Sequence, residues 1–184
     1  MEEKTAIELT SAYRLLHPMH TVLITCAGKK GKPNIMPLAW AMPTSLSPPL
    51  VAISISPKRY SHTLIEKTEE FVISIPTLKI VNETLACGNT SGKDHDKFEE
   101  TGLTPIPAKK VKAPIIKECL AHLECKLHNQ FRTGDHTVFI GEVVEAYANK
   151  DVFTDKYDMS KAQMLYHLGG NIFATLSPID TNKS

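Results

Sequence analysis

The sequence predicts a mainly β protein, with short helices and an antiparallel barrel rather than a doubly wound sheet. Three observations predict it. Short β-branched runs recur between Gly and Pro punctuation. The helical stretches are few and brief. No G-x-G-x-x-G follows a strand, which argues against a dinucleotide-binding parallel sheet.

Residues 9–16 read as a short helix ended by Pro18. Thr21 to Cys26 is a strand, 27–32 a turn with two glycines, and Pro33 to Met36 the start of the return strand. Leu50 to Ser56 alternates Val51, Ile53 and Ile55 against Ala52 and Ser54, the period of a strand. Ser61 to Thr68 reads as a helix and Phe71 to Ile75 as a strand stopped by Pro76. Thr77 is placed to cap a helix carrying Leu78, Val81 and Leu85 on one face. A helix from about Asp94 to Thr101 has Ser91 before it as a cap and Gly102 to end it.

The Pro- and Lys-rich segment 103–114 is a surface connection within one domain, residues 1–184, because strands of one core lie on both sides of it. Two long strands follow, 118–131 and 136–148. The first puts Ala121, Leu123, Cys125 and Leu127 inward and His122, Glu124 and Lys126 outward. The second is apolar on both faces from Thr137 to Val144. That predicts cover from the barrel interior on one side and from something else, such as a second subunit, on the other.

Composition excludes several classes. A net charge of +1 offers no nucleic-acid or anionic-membrane surface. No stretch reaches the roughly 20 apolar residues of a bilayer span. The start Met1-Glu2-Glu3-Lys4 is acidic and unlike a signal peptide, so a cytoplasmic location is expected. The four cysteines form no C-x-x-C pair; reduced thiols and no metal site follow. H-E-x-x-H and G-x-S-x-G are absent.

The chemistry-bearing residues lie in four places. The run 34–45 is apolar but holds Asn34, Trp40, Thr44 and Ser45, a set suited to a flat ring with polar edges. Trp40, the single Trp, either stacks on such a ring or fills the core. Lys58, Arg59, Ser61 and His62 open a helix, as do Ser91 and Lys97, and both arrangements suit an anion as well as a solvated helix cap. His136, after Gly134-Asp135, is either a ligand donor or an exposed turn residue. Residues 166–171 carry the glycines of a chain passing close to a ligand or another backbone.

Six motifs occur in order: Asn34/Met36/Trp40; Ser47-Pro48-Pro49; Arg59-Tyr60-Ser61-His62; Phe71-Val72/Ser74; Cys87-Gly88/Ser91-Gly92/Asp94/Asp96-Lys97-Phe98; and Gly134/His136/Phe139/Gly141-Glu142-Val143. With them the chain, over residues 13 to 175, resembles the flavoredoxin branch of the flavin reductase-like, FMN-binding split-barrel proteins. The resemblance implies a six-stranded antiparallel Greek-key split barrel that forms a homodimer with FMN near the interface. By position it implies Asn34, Trp40, Ser61, Lys97 and His136 as side-chain contacts to FMN. Thr44, Ser45, Arg59 and His62 are implied near its ribityl-phosphate, and Ser91 beside them. The implied activity is electron transfer through FMN, with NADH, NADPH or a ferredoxin-type protein as donor. The alternatives are a reductase that releases reduced flavin or reduces ferric chelates, and a flavin-binding module without turnover. No catalytic acid or base is expected, since the cofactor carries the chemistry.

Overall fold

The computed structural model describes residues 2–28 and 32–179. A 3-10 helix (Leu9–Leu16) and strand β1 (Met19–His20) precede the hairpin of β2 (Val22–Ala27) and β3 (Pro33–Leu38), paired from Val22↔Leu38 to Ala27↔Pro33. The part of the expected turn at 29–31 lies outside the described residues. A second hairpin joins β4 (Ala41–Leu46) and β5 (Pro49–Ile55). Then come α1 (Tyr60–Thr68), β6 (Glu70–Ser74), α2 (Val81–Asn89) and α3 (Lys97–Thr101). Short β7 (Pro105–Ile106) and β8 (Ile115–Ile116) pair with each other. The long β9 (Ala121–Thr133) and β10 (His136–Ala148) and the hairpin of β11 (Tyr166–Gly169) and β12 (Ile172–Ala174) complete the chain.

The main sheet is antiparallel in the order β3-β2-β6-β9-β10-β5-β4. Its two edges, β3 and β4, are separated in the chain by Ala39 and Trp40 alone. Three peptide steps span at most about 11 Å. The sheet therefore curls until its edges meet, which makes it a barrel. Seven hydrogen-bonded runs stand where six strands are expected. The extra run arises because 33–46 is one bent strand that serves both edges, with its corner at 39–40. Val22, Ile24, Cys26, Ile53, Ile55, Phe71, Ile73, Cys125 and Phe139 fill the interior.

Three expectations are corrected. His122 and Glu124 do not face water; they are buried. Strand alternation does place them outside the barrel, but the 103–114 connection folds over that face. The Glu124 carboxylate accepts from the Lys109 and Lys110 backbone N–H groups (2.9 and 2.6 Å) and from the Tyr147 hydroxyl (3.0 Å). Burial pushes the Glu124 carboxyl up, yet these bonds prevail and hold it below its ordinary value. His122 meets Ser74 Oγ at 3.0 Å, and burial lowers its pKa to about 4.

Second, the buried face of α2 is Thr84 and Cys87, continuing Ile80 of the preceding turn, while Leu78 stays exposed. Thr77 does cap, but it caps a 3-10 turn, Leu78–Ile80, by accepting from the Lys79 N–H. Third, α3 begins at Lys97, with Asp96 as its cap. Ser91 instead anchors a turn: its carbonyl accepts from the Asp94 and His95 N–H groups. Gly102 ends α3 at φ 71°, as the sequence suggests.

Candidate functional site

The corner of the bent strand, the β5–α1 loop, the segment from α2 to α3 and the β11–β12 hairpin surround a cavity of about 860 Å³. Asn34, Trp40, Arg59, Ser61, Ser91, Lys97 and His136 line it. These seven, far apart in sequence, are brought together. Thr44 and Ser45 are not among the lining residues: they lie on β4, past the corner that turns the chain to the other sheet edge. His62 is also outside it. One residue along a helix turns a side chain by about 100°, so with Ser61 facing the cavity, His62 turns away from it, toward Thr137 and a second cavity.

The inner end of the cavity is polar and buried. Asn34 Nδ2 donates to Ser61 Oγ at 2.8 Å, while Asn34 Oδ1 has no protein partner. The amide packs against Gly92, where a Cβ would sit 1.8 Å from Oδ1; only a residue without a side chain fits. Lys97 is 5% exposed and its Nζ donates to the Ile35 and Cys87 carbonyls at 2.9 and 2.6 Å. An ammonium has three N–H groups, so one remains uncommitted. Burial lowers the Lys97 pKa below its ordinary value, and nearby Arg59 adds to the effect. Thr84 on the α2 wall is buried with its hydroxyl unpartnered. Burial raises the Cys87 thiol to about 11 and the neighbouring Cys26 thiol to about 12, so neither is a thiolate nucleophile near neutral pH.

The outer end is exposed. Lys58 and Arg59 stand there, with Ser56 beside them on the wall. Trp40 is half-buried and lines the cavity, so it is not packed wholly within the core. Its ring lies 4.8 Å from that of His136, tilted by 36°, and meets Tyr13 edge-on at 5.7 Å. His136 Nδ1 lies 2.7 Å from Asp135 Oδ1, a contact that holds the Asp135 carboxyl below its usual range.

Charge gives the cavity its character. Among the described residues no Asp or Glu lines it, whereas Lys58, Arg59 and Lys97 do. Among the described residues, none of these three cations has a carboxylate within 4.0 Å. Such a wall selects an anionic ligand. Among the described residues no cluster of His, Cys, Asp and Glu is suited to a metal ion, and no helix is long and apolar enough to cross a membrane.

Several lining residues escape sequence reasoning: Thr84, Asn89, Ser54 and Ser56. The amphipathic pattern of 78–85 directs attention to its leucines rather than to Thr84. The Gly-rich stretch near the C-terminus is the one signal available for the hairpin, and it finds its place here: His167, Gly170 and Asn171 form part of the wall.

Comparison with known proteins gives this cavity a context. The flavin reductase like domain matches residues 13–173. The structure is similar to the flavoredoxin of Desulfovibrio vulgaris (Miyazaki F), with a TM-score of 0.86 and 28% identity over 98% of this chain and 96% of that one. It is similar to the flavoredoxin of Methanosarcina acetivorans, with a TM-score of 0.86 and 26% identity over 97% and 94% of the two chains. In sequence it is 30% identical over 132 residues to an NADH-dependent FAD reductase of Streptomyces globisporus, covering 70% of this chain and 69% of that one. A split barrel, a domain match across nearly the whole length and these relatives lead to one conclusion: the chain belongs to the flavin reductase-like domain family.

Proposed function

We propose that the protein binds FMN in the 860 Å³ cavity and carries electrons through it, in the manner of a flavoredoxin. One observation carries the reading: among the described residues, a wall of three cations without a paired carboxylate, ending at the buried Lys97 ammonium with an N–H uncommitted.

The residues present fit FMN. Lys58 and Arg59, with the Ser56 hydroxyl, suit the phosphate, because a dianion at the wet mouth escapes the full cost of burial. The ring edge suits the inner end, where Asn34 Oδ1 accepts and Lys97 donates. Ser61 Oγ already accepts from Asn34, so its own proton is directed to another acceptor. Trp40 and His136 supply flat surface. Bound FMN would supply a two-electron carrier whose ring gains negative charge on reduction. Lys97 keeps a positive charge at the dry end, where Coulomb attraction is least screened.

Electrons come from NADH, NADPH or a ferredoxin-type protein. The similarity to flavoredoxins supports a protein donor. The similarity to an NADH-dependent FAD reductase supports a nicotinamide donor and a second reading, a reductase that releases reduced flavin. A homodimer is part of the proposal: Val138 and Ile140, on the outward face of β10, remain only half-buried in the single chain. Sedimentation is expected to give twice the chain mass, and a monomer that keeps its flavin would remove the dimer from the reading.

Anaerobic spectroscopy tests the function. A band near about 450 nm, characteristic of oxidised flavin, is expected in the purified protein or after addition of FMN. Bleaching by NADH or NADPH identifies a reductase, and bleaching only by reduced ferredoxin identifies a carrier. A colourless protein that takes up no FMN overturns the proposal.

A further inference from the structure

We propose that the hydrogen bond between His62 and Thr137, behind the cavity wall, positions His136 against Trp40; the inference rests on the FMN-binding reading and deepens it. On each of two neighbouring elements one residue faces the cavity and the next faces away. Ser61 lines the cavity and His62 does not; His136 lines it and Thr137 does not. His62 and Thr137 meet on the far side, with Nε2 2.8 Å from Oγ1. They are 5% and 8% exposed. The bond therefore ties α1 to the start of strand β10 from behind, one residue away from both Ser61 and His136.

The imidazole is held in the orientation the tie needs. Its Nδ1 lies 3.3 Å from Glu66 Oε2, one helical turn along α1. A carboxylate beside Nδ1 favours the proton on that nitrogen, which leaves Nε2 to accept from the Thr137 hydroxyl. The ring edge rests on Phe139 at 5.0 Å and 72°. The His136 backbone sits in the β9–β10 ladder opposite Thr133, but among the described residues its side chain hydrogen-bonds only to Asp135 at the hairpin end and packs on the Trp40 ring. The nearest buried tie is that of Thr137. A second cavity of about 430 Å³ on that side is lined by His62, Thr137 and Glu66, so the tie stands between two cavities. His62 is thus a positioning residue. Its expected place beside the ligand is taken by its neighbour, and its role reaches the cavity through Thr137.

The single Trp of the chain provides a readout that needs no flavin. Trp40 emission in the ligand-free protein reports the imidazole against its ring, which His136→Ala calibrates. Thr137→Val removes the hydroxyl and is expected to move Trp40 emission toward that of His136→Ala, and to weaken FMN binding about three- to tenfold. Thr137→Ser keeps the hydroxyl and is expected to retain wild-type emission and affinity. Three results overturn the proposal: Thr137→Val keeping wild-type emission, whether or not it melts earlier; Thr137→Ser behaving like Thr137→Val; or His136→Ala leaving emission unchanged. If the wild-type protein takes up no FMN, the functional reading falls, and emission alone decides the tie.

Discussion

Two buried charges in this molecule are treated in opposite ways. Glu124, behind β9, is completely buried, and its carboxylate is taken up by two backbone N–H groups and a tyrosine hydroxyl. Lys97, in the cavity, is nearly as buried but has two carbonyls, no carboxylate and an N–H to spare. The fold favours the charged form of Glu124 and disfavours that of Lys97. The first site is closed and serves the structure. The second is left incomplete, and the anionic ligand proposed for the cavity would complete it. A buried charge that its own fold does not neutralise is a mark of a binding site.

The contrast is most exposed to test by removing each charge. Glu124→Ala leaves its donors unpaired and is expected to cost about 2–5 kcal/mol of stability without changing the affinity for flavin. Urea unfolding with parallel FMN titration checks both. Glu124 also sets an acid limit. Its folded pKa lies below the ordinary 4.5, so its contribution is present above that value and is lost as pH falls through the folded pKa. Glu124→Ala should flatten that acid loss. Lys97 has the reverse sign. Its folded pKa lies below the ordinary 10.5, so between the two values the unfolded chain binds more protons. Stability of the ligand-free protein then rises with pH across that window relative to Lys97→Met. An anion bound at Lys97 should reduce the rise.

Gly92→Ala comes next. Its Cβ would force Asn34 away from Ser61, at an expected cost of about 1–3 kcal/mol, with at least tenfold weaker flavin binding. Thermal melts that match wild type would show that the Asn34 amide relocates freely and that the inner end is not rigid. Arg59→Ala sharpens the comparison from the exposed end. One charge-assisted bond at the mouth contributes about 1.5–3 kcal/mol, so FMN should bind roughly ten- to a hundredfold more weakly while riboflavin is unaffected. Equal loss of both ligands would move the phosphate away from Arg59. Trp40→Ala has the smallest expected effect. Being half-exposed, Trp40 should leave the melting temperature little changed, whereas any bound flavin should brighten and bind about 0.5–1.5 kcal/mol more weakly.

The strands were legible where alternation and punctuation agree. His136–Ala148 is bounded as its pattern predicts, and Gly102 stops α3. Alternation reports which face a residue takes, not what covers that face. For that reason the outward placement of His122 and Glu124 does not reveal that the 103–114 connection buries them. The site was legible where the motif residues are themselves the lining: Asn34, Trp40, Arg59, Ser61, Ser91, Lys97 and His136. Thr44, Ser45 and His62 do not line this cavity, because closeness in sequence to a lining residue does not survive a strand corner or one step of helix. The division of labour among the cations was hidden as well. Lys97 and Arg59 look alike in sequence, and only burial separates the one suited to a ring edge from the one suited to a phosphate.

The central claim is that Lys97 is completed by the ligand, and paired titration of FMN into wild type and Lys97→Met tests it most directly. The account predicts about one FMN per wild-type chain. It predicts at least a tenfold loss of affinity in Lys97→Met, shared by riboflavin, with little change in stability. Wild type that takes up no FMN, or Lys97→Met that binds it as tightly as wild type, would contradict it.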